Sequence, residues 1–214
     1  MPSRMGLRDF VRQYGQPFSE MLGIDLKSRK SGEISKWFLA SLLYSKPIRE
    51  STATLTYQVF EESEVVSPPA IVKTGWEGLV SLLDEGGYTR YDFSTASKLL
   101  QVFGNLQKNY SGDLNRLHEA AADSEDLAKR LRDLGKGIGA TTVSVFLRDM
   151  RGIWPKADPQ PSPLVRLGMR ELGIKDVEKF ADKKGVDARW LETALLRLGK
   201  DYVKRGKVLK IRPS

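Results

Sequence analysis

Three alternating glycines, Gly135, Gly137 and Gly139, stand between two apolar stripes. Leu127, Leu131 and Leu134 precede them at i, i+4 and i+7, and Val143, Phe146, Leu147 and Met150 follow. That is the pattern of one helix ending and another beginning. Glycine at the stop tolerates the positive φ of a tight turn. The first amides of the second helix then lack carbonyl partners, which makes its N-terminus a seat for a phosphate. Gly137, Gly139 and Thr142 supply backbone and a hydroxyl there, and Lys136 a charge beside it. The same residues also suit a plain helix–helix turn. Further on, Trp154-Pro-Lys-Ala-Asp158-Pro159 offers a carboxylate ahead of a proline, a position that commonly serves a turn or a cap.

Leu134 to Thr142 resembles the hairpin of the helix-hairpin-helix-GPD DNA glycosylases, the endonuclease III and adenine glycosylase kind. The family hairpin reads Leu-Pro-Gly-hydrophobic-Gly, two variable positions and Thr; Gly137-Ile138-Gly139 and Thr142 match it. The family's other mark is an acidic residue downstream, and Asp158 meets that spacing to within one residue. The resemblance runs from about Ile34 to Leu172 and includes Tyr110-Ser-Gly-Asp-Leu114 before the hairpin.

The resemblance implies an all-α fold of two helical lobes with a helix-hairpin-helix motif and a cleft between them. One is a central lobe over 34–135. The other is 1–33 plus 136–214, with the hairpin's second helix in it. It implies double-stranded DNA as the partner and, as activity, cleavage of the N-glycosidic bond of a flipped damaged or mismatched base. Asp158 would be the catalytic residue, stabilising an oxocarbenium-like sugar and orienting water. Gly137, Gly139, Thr142 and Lys136 would hold the DNA backbone. The stretch Leu42 to Arg49 resembles the loop that fills the gap left by the extruded base, with Lys46 and Ile48 as the plug; a plain helix–helix loop is the alternative. Trp37, Tyr44 and Trp154 are candidate walls of a base pocket, with Tyr88 and Tyr91 also at hand. A monovalent cation on the main-chain carbonyls of Asp133, Gly135 and Ile138 is the only cofactor implied.

Two departures from the family pattern shape the expectation. Thr141 stands where lyase-competent members carry a lysine, so Schiff-base chemistry is lost there and a monofunctional glycosylase is expected, with Lys136 the remaining hairpin amine. Pro159-Gln-Pro-Ser-Pro163 follows the Asp in place of a helix start. Ser162 with Pro163 is itself a helix cap and first helical position. If Ser162 takes the family's Asp place, the alternative is a non-catalytic helix-hairpin-helix DNA-binding protein, which needs the glycines and the basic surface but not Asp158. An all-α protein–protein module is a third option, one that predicts no salt-dependent DNA binding.

Charge fits a polyanionic partner: 35 Lys and Arg against 27 Asp and Glu give a net charge of +8. The chain has no cysteine, which excludes disulfides and the four-cysteine iron–sulfur cluster of many endonuclease III relatives. A single histidine, His118, argues against a His-based metal site and reads as structural or surface. No apolar run reaches the roughly 18 residues a membrane helix needs, and no signal-peptide core stands at the N-terminus. A monomer in the cytoplasm, associated with the nucleoid, is expected.

Helices must position these groups. Spacing predicts one around Leu7 to Tyr14, then Ile34 to Ser45 with Pro47 stopping it. Ser51 to Phe60 suits strand or helix, and helix is preferred because no second strand pattern exists to pair with it. Val72 to Leu83 should turn Trp76, Leu79, Val80 and Leu83 inward. Phe93 to Tyr110 and Leu114 to Ala121 follow, and Asp123 or Ser124 caps the helix that feeds the hairpin. After Asp158, three stripes remain: Val165, Met169 and Leu172; Val177, Phe180 and Ala181, closed by Gly185; and Trp190 to Leu198, capped by Asp187. The tail from Lys200 to Arg212 alternates basic and apolar residues, as a short strand, a phosphate-contacting arm or a frayed end. The total is about ten helices and no sheet.

Overall fold

The computed structural model describes residues 5–212. Most of the chain is helical, with twelve α-helices and one two-residue β ladder among the described residues. In chain order the elements are β1 (Met5–Gly6), α1 (Leu7–Tyr14), α2 (Phe18–Met21), α3 (Ser31–Tyr44), α4 (Glu50–Glu62), α5 (Pro68–Glu85), α6 (Asp92–Tyr110), α7 (Leu114–Ala120), α8 (Ser124–Asp133), α9 (Ala140–Asp149), α10 (Pro163–Glu171), α11 (Val177–Lys184), α12 (Ala188–Arg197) and β2 (Ile211–Arg212). Among the described residues no helix is long and apolar enough to cross a membrane. Two compact units divide the chain: Leu22–Pro159, and Met1–Met21 with Gln160–Ser214.

The Leu22–Pro159 unit is built on α3. Ile34, Trp37, Phe38, Leu39, Ala40, Leu42 and Leu43 are all buried, so this helix is apolar around most of its circumference, the mark of a core helix. Phe38 packs edge-on against Phe103 of α6 and Phe146 of α9, with ring centroids 5.8 and 5.0 Å apart. The 51–60 stretch is helical, as expected. Ala53, Tyr57 and Phe60 face the core, and the Thr56 hydroxyl donates to Thr52 O and Gly86 O.

Helix α5 departs from the sequence expectation. Ser67 caps it ahead of Pro68, and Gly75 breaks it with φ 73° and ψ 177°. This break rotates the second half, leaving Trp76 41% exposed against the exposed ring of Phe93, with centroids 5.3 Å apart. Leu79 and Leu83 are buried as expected.

Sequence reasoning drew the lobes at 34–135 and at 1–33 plus 136–214; the compact units have other bounds. The reason is packing. Helix α9 lies on α3, with Phe146 in the Phe38 cluster and the Trp37 indole N–H donating to Phe146 O at 3.0 Å.

In the Met1–Met21 and Gln160–Ser214 unit, Phe10 and Val11 of α1 share a core with Val165, Met169, Ala181, Leu191, Leu195 and Leu198. Helices α10 and α12 approach closely enough that a Cβ on Gly168 would collide with Leu195 O. Arg197 donates to Tyr14 O and Gln16 O, closing the end of α1. The tail forms a strand after all. β2 pairs in parallel with β1, Met5 opposite Ile211, and Ile211 is buried. The expectation of no sheet is corrected here, because a short ladder at the two ends of the chain leaves no repeating pattern to read.

Candidate nucleic-acid interface

Helix α6 holds the glycine turn from below. Asn105 Nδ2 donates to Leu134 O at 2.8 Å, and the Lys136 N–H donates to Gln101 Oε1 at 2.9 Å. A Cβ on Gly135 would lie 2.8 Å from Val102 Cγ2, so a side chain there would displace Val102. Gly137 has φ +83°, a left-handed conformation that costs other residues about 1–2 kcal/mol. Gly139 differs from both. Its extended backbone, φ −96° and ψ −176°, suits any residue, and a Cβ would meet nothing within 4 Å. The fold itself does not call for glycine there; its effect is to leave the approach to α9 open. Gly139, Ala140 and Thr141 are exposed, and no side chain caps the helix. Helix α9 thus begins at exposed residues, without a side-chain cap, on a braced turn, as an anion seat requires. Lys136 is exposed beside them.

Thr142, expected to lend its hydroxyl to a phosphate, faces the opposite way. It is 3% exposed and donates to Ser45 Oγ at 2.9 Å. That bond ties the start of α9 to the end of α3, and so brings the 45–49 loop beside the hairpin. Lys46 and Ile48 are both half-buried. The Lys46 ammonium lies over the Tyr91 ring, 5.4 Å from its centroid. A cation on Asp133, Gly135 and Ile138 would find the Gly135 carbonyl already accepting the Ile138 N–H at 3.3 Å.

One residue of this region escaped the sequence reading. Lys98, on the α6 face that also carries Gln101, Val102 and Asn105, is 7% exposed. Its Cε lies 3.1 Å and its Nζ 3.9 Å from where a Cβ of Gly137 would stand. Burial, with the charge of Lys46 beside it, lowers the Lys98 pKa to about 8. The signal was present: Thr95, Lys98, Leu99, Val102 and Leu106 form a continuous stripe, which puts a lysine among packed positions.

Two of the expected base-pocket walls, Trp37 and Trp154, are core side chains, and Tyr44 is half-buried. Trp37 is 0% exposed and its N–H is spent on Phe146 O. Trp154, 3% exposed, donates to Asn115 Oδ1 at 3.0 Å and stacks on His118 with centroids 4.7 Å apart. Neither ring keeps a face for a base, because each fills space between helices. Tyr44 shares a 2.6 Å hydroxyl bond with Thr54. Burial, then the nearby charge of Lys156, lowers the His118 pKa. Lys156 donates to the His118, Glu119 and Ala121 carbonyls, so it closes the C-terminus of α7.

Asp158 is exposed and held by buried Arg151, whose Nη1 donates to Oδ1 at 2.8 Å. Ser162, not Asp158, caps α10: its hydroxyl accepts the Val165 N–H at 3.3 Å, with Pro163 in the first turn. No protein-family model matches this chain, and no curated protein matches it.

Proposed function

We propose that this protein binds double-stranded DNA by seating a backbone phosphate on the turn Gly135–Gly139 and the first amides of α9. The observation that carries the reading is the exposed, uncapped start of α9 on a turn braced by Gln101 and Asn105. The overall charge of +8 supports it, as does Lys136 beside the turn. A phosphate there is sequence-independent by nature: it fixes the register of the protein on the duplex without reading bases. In this reading the protein acts as a monomer in the cytoplasm, on nucleoid DNA. The test is duplex binding by fluorescence anisotropy over a range of salt concentrations. The expected plot of log K against log salt is linear and falling, less steep by about 1 for Lys136→Gln. Binding independent of salt sinks the reading.

Of the two DNA readings, the geometry favours the non-enzymatic one. The guanidinium of Arg151 on Asp158 offsets the negative field that a carboxylate must direct at an oxocarbenium-like sugar, and the capping place at α10 belongs to Ser162. Base excision is the second reading, favoured by one observation: buried Arg151 holds an exposed carboxylate at a fixed position. In that reading Asp158 is the catalytic residue, and Thr141 in the lyase position makes the enzyme monofunctional. Single-turnover incubation with duplexes carrying defined lesions, split with and without alkali, separates the two. Breaks only after alkali, lost in Asp158→Asn, establish the glycosylase; binding without breaks across the lesion panel supports the non-enzymatic protein.

A further inference from the structure

Lys98 presents an unusual balance. A lysine with a packed stem ordinarily brings its ammonium to a carboxylate, to a set of carbonyls or to water. Among the described residues Lys98 makes no hydrogen bond and no ion pair, and the charge acting on it is that of another cation, Lys46. Both positions are built rather than incidental. Lys98 is fixed on α6, the helix that braces the turn through Gln101 and Asn105. Lys46 follows Ser45, which the Thr142 hydroxyl ties to α9. Lys98 thus stands at the turn, with Lys46 near it over the Tyr91 ring; the helix start there has no side-chain cap, and Gly139 leaves the approach clear. Lys46 is met by the Tyr91 ring; among the described residues no protein group pairs with Lys98, and a bound anion would.

We propose that Lys98 and Lys46, with the first amides of α9, form a site for a single oxyanion at the Gly137 turn. Under the DNA reading, on which this identity of the ligand rests, the oxyanion is one backbone phosphate. The Lys98 Nζ stands 3.9 Å from the Cβ position of Gly137, so the ammonium lies at the turn on which the anion rests. A consequence follows for protons. Burial and Lys46 hold free Lys98 near its midpoint at about pH 8; an anion favours the charged form, so binding draws a proton onto Lys98. Affinity is greatest below pH 8 and declines above it, since the competent, protonated fraction shrinks. Lys46 is the other titratable group facing Lys98, and variants at position 98 separate its contribution.

The test follows the Lys98 ε-methylene in carbon–proton NMR spectra of the full chain, assigned with Lys98→Met. It is titrated from pH 6.5 to 10.5 in sodium chloride, then in sodium sulfate at equal ionic strength, then with duplex DNA. The expected result is a midpoint near 8 in chloride that rises with sulfate and with duplex. In parallel, duplex affinity falls about tenfold from pH 7 to pH 9 in the wild type. It is flatter with pH in Lys98→Arg, which stays charged throughout. A midpoint that moves with neither sulfate nor duplex overturns the site, and so does an equal pH slope for wild type and Lys98→Arg. If sulfate moves the midpoint and duplex does not bind, the oxyanion site stands and the DNA reading fails. If duplex binds without moving the midpoint, the DNA reading stands and the site fails. Should Lys98→Met not fold, the wild-type titration with Lys98→Arg decides alone.

Discussion

Arg151 bridges two neighbours of one loop: its Nη1 donates to Asp158 Oδ1 at 2.8 Å and its Nη2 to the Pro159 carbonyl at 2.6 Å. The guanidinium is buried and the carboxylate is 64% exposed. Water screens such a pair, so Asp158→Asn should cost no more than about 1 kcal/mol of stability, read by thermal unfolding. Duplex affinity should be unchanged. A mutant that keeps its fold and duplex binding but loses alkali-sensitive excision would restore the glycosylase reading.

Gly137 and Gly139 should respond oppositely to substitution. Gly137→Ala places a Cβ in a left-handed conformation and 3.1 Å from Lys98 Cε, so it should lose about 1–2 kcal/mol. A Cβ at Gly139 meets nothing within 4 Å, and Gly139→Val should leave thermal stability within about 0.5 kcal/mol. Its side chain crowds the amides of α9, so duplex affinity should drop several-fold at constant salt. Equal losses of stability at the two positions would contradict the assignment of Gly139 to the approach.

Lys98→Met should stabilise the protein at pH 7. The Lys98 pKa is near 8 folded and near 10.4 in an unfolded chain. Between those values the unfolded state binds more protons, so stability rises with pH across the window. Below pH 8 the wild type carries the full cost of a buried charge, which Met removes. The expected gain is about 1–2 kcal/mol at pH 7, shrinking as pH approaches 10. Denaturant unfolding of both proteins at pH 7 and pH 10 measures it; a loss at pH 7 instead would mean that the fold uses the ammonium.

Trp37→Phe keeps most of the ring volume but removes the donor to Phe146 O. An unpaired buried carbonyl costs about 1–3 kcal/mol, so the melting temperature should fall by several degrees. Duplex affinity at a temperature well below the transition should stay within twofold. A selective loss of binding with unchanged stability would return Trp37 to the ligand site.

Helix positions were largely legible in the sequence, since their determinants are local. Asp123, Ser162 and Asp187 cap α8, α10 and α12 by bonding amides two or three residues ahead. Where local pattern failed, a backbone event or a distant partner decided. Trp76 sits on an apolar stripe, yet Gly75 at φ 73° turns it outward. Ile211 and Met5 pair across almost the full length of the chain, and no short-range pattern announces such a ladder.

The sequence alone determined the all-α character, the glycine turn between α8 and α9 and the basic balance, because apolar periodicity, glycine conformation and net charge are properties of neighbours or of sums. Only the tertiary structure decided which side chains face that turn. Thr142 bonds Ser45 across 97 residues and is withdrawn from solvent. Lys98, an ordinary helix lysine by sequence, packs against Gly137 with Lys46 as its charged neighbour. Burial and partnership depend on which helices pack together, and α3, α6 and α9 meet through contacts far apart along the chain.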